Sequence, residues 1–303
     1  MSTTPPSEHP PTKATPTAKV HLVTHDDVVK ALKNGHKLPI DADTSGTLPG
    51  GPQGQPDPDS SESAAAVHSH IRTIVQPSTS YPYRTVGKIF AGREGDNTTL
   101  WTGAGVMVGP NLFLTSARIV PKSEIGNNFW MRFAPAQKES AAPLGWAYVD
   151  EIYGYQNSVT GVSGLDYMVC RLVFPMGRDN TGWVGSFWAD KLDDYIGVLY
   201  DIFGYPNHPA TNPNGLFMDV QHDIRFLSFT LEPNSKGKRI LTEGARPLPG
   251  AVGGPMWADF NGAIRVVGVV SGPNTNRQYL VAGGEPMVDL IKYGLLNWPV
   301  PPA

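Results

Sequence analysis

The sequence predicts an all-β domain that ends in a short helix and is preceded by an extended, irregular arm. Three observations predict it. From about residue 82 onward, short apolar runs alternate with Gly, Pro, Asn and Asp, the punctuation of strands and turns. Asn261-Gly262 sits between Met256-Trp257 and Ile264 to Val270, a strong hairpin signal because both residues tolerate the positive φ of a tight turn. Helical periodicity is scarce until Pro286 to Leu296, where Met287, Leu290, Ile291 and Leu295 share a face. The 33 glycines and 29 prolines suit many short strands joined by tight turns.

Along the chain, residues 1–20 are rich in Pro, Thr and Ser and should form no core of their own. A short helix is expected near 25–34. Thr24 caps it, Asp26 and Asp27 suit its positive end, Val28, Val29, Ala31 and Leu32 give it an apolar side, and Gly35 stops it. A helix of that length is marginal alone and needs a surface. Residues 41–66, rich in Gly, Pro, Asp and Ser, read as a linker. The expected division is therefore an arm over 1–66 and a β domain over 67–303. Within the latter, strand-like runs are Val86 to Ala91, Gly105 to Val108, Leu112 to Thr115, Tyr167 to Phe174, Val198 to Phe203 and Ile264 to Val270. These runs do not separate a sandwich from a barrel.

A formal charge of -3 gives no support for nucleic acid or a membrane surface as partner. Met1 to Lys19 contains no apolar segment of signal-peptide type, and no run is long enough to span a bilayer. The single cysteine, Cys170, fits a reducing compartment. The expected location is thus intracellular, cytoplasmic or within an assembled particle. His68-Ser-His70 has no accompanying carboxylate or cysteine, so neither a metal nor a cofactor is expected.

Three segments carry a resemblance. They are Gly105-Val-Met-Val-Gly-Pro-Asn-Leu-Phe-Leu-Thr-Ser-Ala-Arg118, then Gly164-Leu-Asp166-Tyr-Met-Val-Cys-Arg-Leu172, then Pro249-Gly250-Ala251-Val252-Gly253-Gly254-Pro255. In this order they resemble the histidine, aspartate and serine segments of trypsin-like serine proteases. The separations, 48 residues from 118 to 166 and 86 from 166 to 252, are close to about 45 and about 93 in chymotrypsin. Phe203-Gly204-Tyr205-Pro206 and Arg72-Thr-Ile-Val75 with Tyr81-Pro-Tyr83-Arg84 are similar to the glutamyl-endopeptidase branch. The resemblance covers roughly residues 70–298 and implies two six-stranded β-barrels with a cleft between them.

The chemistry departs from that family at two of three triad positions. Arg118 stands where the resemblance implies histidine, and a guanidinium has no lone pair with which to take a proton. Val252 stands where it implies serine and has no nucleophilic atom. Only Asp166 matches, so a salt bridge from Arg118 to Asp166 is expected, neutralising a carboxylate that would otherwise be buried alone. The oxyanion-like loop contains Gly250 and Val252. Val270, Ser271 and Gly272 are expected to line the cleft, with Val270 where glutamyl endopeptidases carry a substrate-reading histidine. Arg246 is a further source of positive charge there.

Other residues offer little rescue. Ser116 would share a strand face with Arg118 but lacks a base. Cys170 lies in an apolar strand, and His208 and His222 have no identifiable serine partner. The expected function is a pseudo-protease that acts as a binding or structural module, its partner another protein or an assembly such as a viral particle, engaged through residues 1–66. The alternative is an active or partner-activated endopeptidase. Trp183, Phe187 and Trp188 are candidates for an exposed contact surface or for buried packing.

Overall fold

A computed structural model of the chain describes residues 16–34, 72–76, 78–120, 128–157, 163–245, 249–273 and 279–300. His68, His70, Gly35, Arg246 and the linker at 41–66 lie outside the described residues. The elements in chain order are β1 (Lys19–Val23), α1 (His25–Lys33), β2 (Arg72–Ile74), β3 (Val86–Arg93), β4 (Trp101–Met107), β5 (Leu112–Thr115), β6 (Phe129–Pro135), β7 (Ala147–Tyr155), β8 (Met168–Leu172), β9 (Gly185–Ser186), β10 (Leu199–Gly204), β11 (Asp219–Leu231), β12 (Gly237–Glu243), β13 (Pro255–Phe260), β14 (Ala263–Pro273), β15 (Tyr279–Gly284) and α2 (Glu285–Asn297).

They close into two six-stranded antiparallel barrels. In the first, β7, β6, β3, β4, β5 and β8 pair in that order and β8 returns to β7. In the second, β10, β13, β14, β15, β12 and β11 pair in order and β11 returns to β10. Closure removes the open edges that an antiparallel sheet of this length would expose. Each barrel has its own interior. The first is filled by residues such as Phe113, Phe133, Met131 and Ile152, with Phe113 and Phe133 stacked at 4.5 Å. The second is filled around Tyr200, Phe226, Ile240 and Val270. A third apolar layer joins them, with Val106 and Leu114 from the first barrel meeting Phe203 and Trp257 from the second. Helix α2 adds Met287, Leu290, Ile291 and Leu295, the residues its periodicity selects. The Asn261-Gly262 turn has φ of 57° and 81° and joins Phe260 to Ala263, as the dipeptide demands.

Two strands go beyond the sequence reading, and both belong to the chain before residue 82. β2 precedes the first barrel but pairs with β11 of the second, Asp219↔Ile74 through Gln221↔Arg72. β1 begins at the end of the segment, residues 1–20, expected to form no core of its own. It pairs in parallel with the half of β7 that β6 leaves uncovered, Lys19↔Glu151 through Val23↔Tyr155, while β6 meets β7 only at Tyr148 and Ala147. The Ala18 amide begins the join by donating to Phe129 O. The expected helix follows, with Thr24 and Asp27 forming a reciprocal capping box. It packs on α2 through Val28, which is fully buried. His21 Nε2 meets Glu151 at 2.6 Å and His25 Nε2 meets Asp289 at 3.3 Å. Residues 19–33 therefore pack on this chain's own β7 and α2, which supply the surface that a helix of this length needs.

Val28→Asp tests that docking, because it puts a charge into an apolar layer. The expected result is release of residues 19–33 to limited proteolysis and a loss of about 2–3 kcal/mol, with the barrels still folded. Unfolding of the whole domain without a preceding cut in the arm would contradict it.

Candidate functional site

Arg118 and Asp166 meet in the first barrel, and the loop carrying Val252 comes up to them from the second, with Gly253 against Thr115 and Ser116. β5 ends at Thr115, and Ser116 then opens a 3-10 turn over Ala117–Ile119 by accepting from the Arg118 amide. Ser116 is thus not on a strand, a correction to the shared-face argument, although its side chain and that of Arg118 still converge. Asp166 sits just before β8 and is completely buried. Its Oδ1 accepts from Ser116 Oγ at 2.9 Å. Its Oδ2 accepts from Ser271 Oγ at 2.5 Å and meets Arg118 Nε at 3.0 Å.

The role of Ser271 depends on a bulge. The β14–β15 register shifts between Val270 and Gly272, which turns the serine out of the alternation and onto Asp166. Val270 instead points into the second barrel's core and is fully buried, so its side chain does not line an open groove. Gly272 lies directly against Arg118 Nη1, and a side chain there would displace the guanidinium. Burial raises the Asp166 carboxyl to about 6, against the opposing pull of Ser271, Arg118 and Ser116.

The loop carrying Val252 is held from both barrels. Ala104 of β4 donates its amide to Val252 O at 2.9 Å. Gly253 donates to Val270 O at 2.8 Å, and Val270 donates to Gly254 O at 2.9 Å. The second of its glycines needs its missing side chain. Gly253 has φ of 82°, and a Cβ there would collide with Thr115 Oγ1 and Ala104 O. Gly250 has φ of 95° and its carbonyl accepts from Tyr205, in the Phe203-to-Pro206 loop that also carried the resemblance. Val252 itself is half-buried and packs on the first barrel's core beside Trp101.

The remaining candidates lie elsewhere. Cys170 is buried in the first barrel, and burial drives its thiol well above the usual range. His208 hydrogen-bonds Thr211 Oγ1 at 2.9 Å in its own loop. His222 lies 2.8 Å from Asp201, which raises its pKa. Among the described residues, none of the histidines is bonded to Asp166 or to either serine around it. Trp183 is buried, and Phe187 and Trp188 are half-buried, with Phe187 stacked on Phe260 at 4.5 Å. These rings serve packing. The described residues contain no group of His, Cys, Asp and Glu able to hold a metal, and no helix long and apolar enough to cross a membrane.

Sequence reasoning identified Arg118, Asp166 and Val252 but missed the function of the two serines as donors to Asp166. The residue types gave little warning. Ser271-Gly272 within an apolar strand was the one available sign of a bulge.

No family model matches the chain, and no curated protein matches it. Solved structures do. A Glu endopeptidase superposes with a TM-score of 0.59 at 20% identity, covering 74% of this chain and 95% of that one. A thermostable serine protease, AL20, from an extremophilic microorganism gives 0.50 at 16%, covering 66% and 91%. The protease Anisep from Arthrobacter nicotinovorans gives 0.50 at 18%, covering 71% and 94%. With its two closed barrels and C-terminal helix, the chain has the fold of the trypsin-like serine proteases.

Proposed function

We propose that the chain is a pseudo-protease, a binding or structural module built on a protease fold and without peptide hydrolysis. One observation carries this reading. The carboxylate at the centre of the site is occupied by a guanidinium and two fully buried hydroxyls, none of which can act as a general base, and the neighbouring loop carries a valine at 252. Hydrolysis needs a nucleophile within reach of a base, and both groups have been replaced. The partner in this reading is another protein or an assembly, approached through the cleft, the outer barrel surface or residues 1–66.

The fold shared with three proteases favours one second reading, an endopeptidase completed by residues that a partner supplies. Treatment with a fluorophosphonate, read as intact mass, separates the two. The expected result is no adduct, either for the isolated chain or for the chain taken gently from its source with its companions. A stoichiometric adduct on the isolated chain would overturn the proposal, and one formed only with the companions present would establish the partner-activated reading.

A further inference from the structure

The first barrel turns an aromatic face outward, with a cation at its centre. Ile89, Ala91, Met131, Phe133, Ala147 and Val149 fill its interior, so the alternation of β3, β6 and β7 sends Phe90, Arg132 and Tyr148 to the opposite side. The register sets these three in one row across the strands, Phe90↔Arg132 and Arg132↔Tyr148. The Arg132 guanidinium lies 4.5 Å from the Phe90 ring, 5.4 Å from Trp146 and 6.0 Å from Trp130, and Trp146 meets Tyr148 edge-on at 5.0 Å. Trp146 remains 45% exposed. Val173 and Phe174 are exposed as well, where the Val173 amide donates to Tyr148 O.

The cations on this face lack counter-ions. The neighbouring carboxylates of β7, Asp150 and Glu151, are taken by Arg171. Arg132 has no carboxylate within salt-bridge distance among the described residues, and its buried Nε has no hydrogen-bond partner. Lys88, 5.4 Å from the same Phe90 ring, donates to the carbonyls of Asn214 and Gly215. A stacked guanidinium satisfies its faces with rings but keeps its donors in the plane, at its edge. Two uncompensated charges beside exposed rings favour an anionic group attached to an apolar one.

We propose that this face is where the chain docks a protein partner, and that it takes a segment in which an aspartate or glutamate stands next to an aromatic or large aliphatic residue. The inference rests on the pseudo-protease reading and names the surface and the partner chemistry within it. The carboxylate pairs with the edge of Arg132, and the neighbouring side chain covers Trp146. Charge-assisted hydrogen bonds are about twice as strong as neutral ones, and Trp and Arg are the residues that most often anchor an interface. A carboxylate without an apolar neighbour would leave Trp146 as exposed as it is now. A neutral sugar would leave the guanidinium without a counter-charge. Two cations, of which Lys88 is buried, are too few for a nucleic-acid backbone, whose binding scales with the number of phosphates neutralised.

The test selects a displayed library of random dodecapeptides on the full chain. The most enriched sequence is then synthesised with blocked ends, once as selected and once with its acidic residues changed to the corresponding amides. Both peptides are titrated into the 15N-labelled full chain, and the Trp146 indole N–H and Arg132 Nε–H signals are followed. The enriched sequences are expected to share an acidic residue beside an aromatic or aliphatic one. The acidic peptide should shift both signals, and the amide version should bind at least about tenfold more weakly. Trp146→Ala, a change at an exposed position, should weaken the acidic peptide while leaving the rest of the spectrum in place. Arg132→Gln should abolish the preference for acid over amide. No enrichment, enriched sequences without an acid, equal binding of the two peptides, or shifts confined to other residues would each overturn the docking face. So would a heparin-derived tetrasaccharide that shifts the two signals when no selected peptide does. All of these leave the pseudo-protease reading standing, whereas shortened peptides found by mass after the titration would overturn that reading itself.

Discussion

Replacing Arg118 by histidine and Val252 by serine together is expected to create a hydrolase, whereas either change alone is expected to create nothing. The scaffold around the two positions is in place. Asp166 is buried and fixed by Ser116 and Ser271, as a carboxylate must be if it is to orient an imidazole. A histidine at 118 would take over the contact to Oδ2 that Arg118 Nε now makes at 3.0 Å. The loop at 250–254 keeps its backbone anchors on Ala104 and Val270, because none of them involves the Val252 side chain. A nucleophile without a base is inert, and so is a base without a nucleophile, which is why triad members act as a unit and their effects do not add. The double variant should therefore exceed each single variant by at least about 10³-fold in cleavage of a protein substrate. It should also take up one equivalent of a fluorophosphonate at the introduced serine. Labelling of the unmodified chain at the same rate would show that the residues named here are not what determines activity.

How much of this was legible beforehand divides along a physical line. The barrels were readable because their strands announce themselves locally, by apolar runs between turn residues. Leu112–Thr115 and the Asn261-Gly262 hairpin fall where the pattern puts them. The motif order then located Arg118, Asp166 and Val252. β1 and β2 were not readable, because three to five residues of mixed polarity acquire strand geometry only from the edges they complete. The arm's docking follows from the same cause. Val28 looks like any apolar residue of a short amphipathic helix until α2 supplies the surface that buries it. Ser116 and Ser271 reach Asp166 through a turn and a bulge, features that depend on long-range pairing rather than on neighbouring sequence.

The second large effect is the stability of an Arg118→Met variant, and it should depend on pH. In the folded protein burial raises Asp166 to about 6, above its unfolded value of about 3.9. A carboxyl raised in this way stabilises the fold most below its unfolded pKa, and that contribution is lost as pH rises through about 6, because ionising the buried group costs free energy. Arg118 limits the loss by pairing with the ionised form. Without it, Asp166 rises further and either ionises unpaired or stays protonated above neutrality. Each additional unit of displacement corresponds to about 1.4 kcal/mol. At pH 5 Asp166 is largely protonated with or without the arginine, so the variant should lose less than about 1 kcal/mol. At pH 8 the wild-type carboxylate is paired and the variant's is not, so the loss should approach about 3 kcal/mol. Urea midpoints of the two proteins at these pH values measure the difference directly. An equal loss at both would mean that Arg118 contributes through packing of its aliphatic stem, and that Asp166 is held by Ser116 and Ser271 alone.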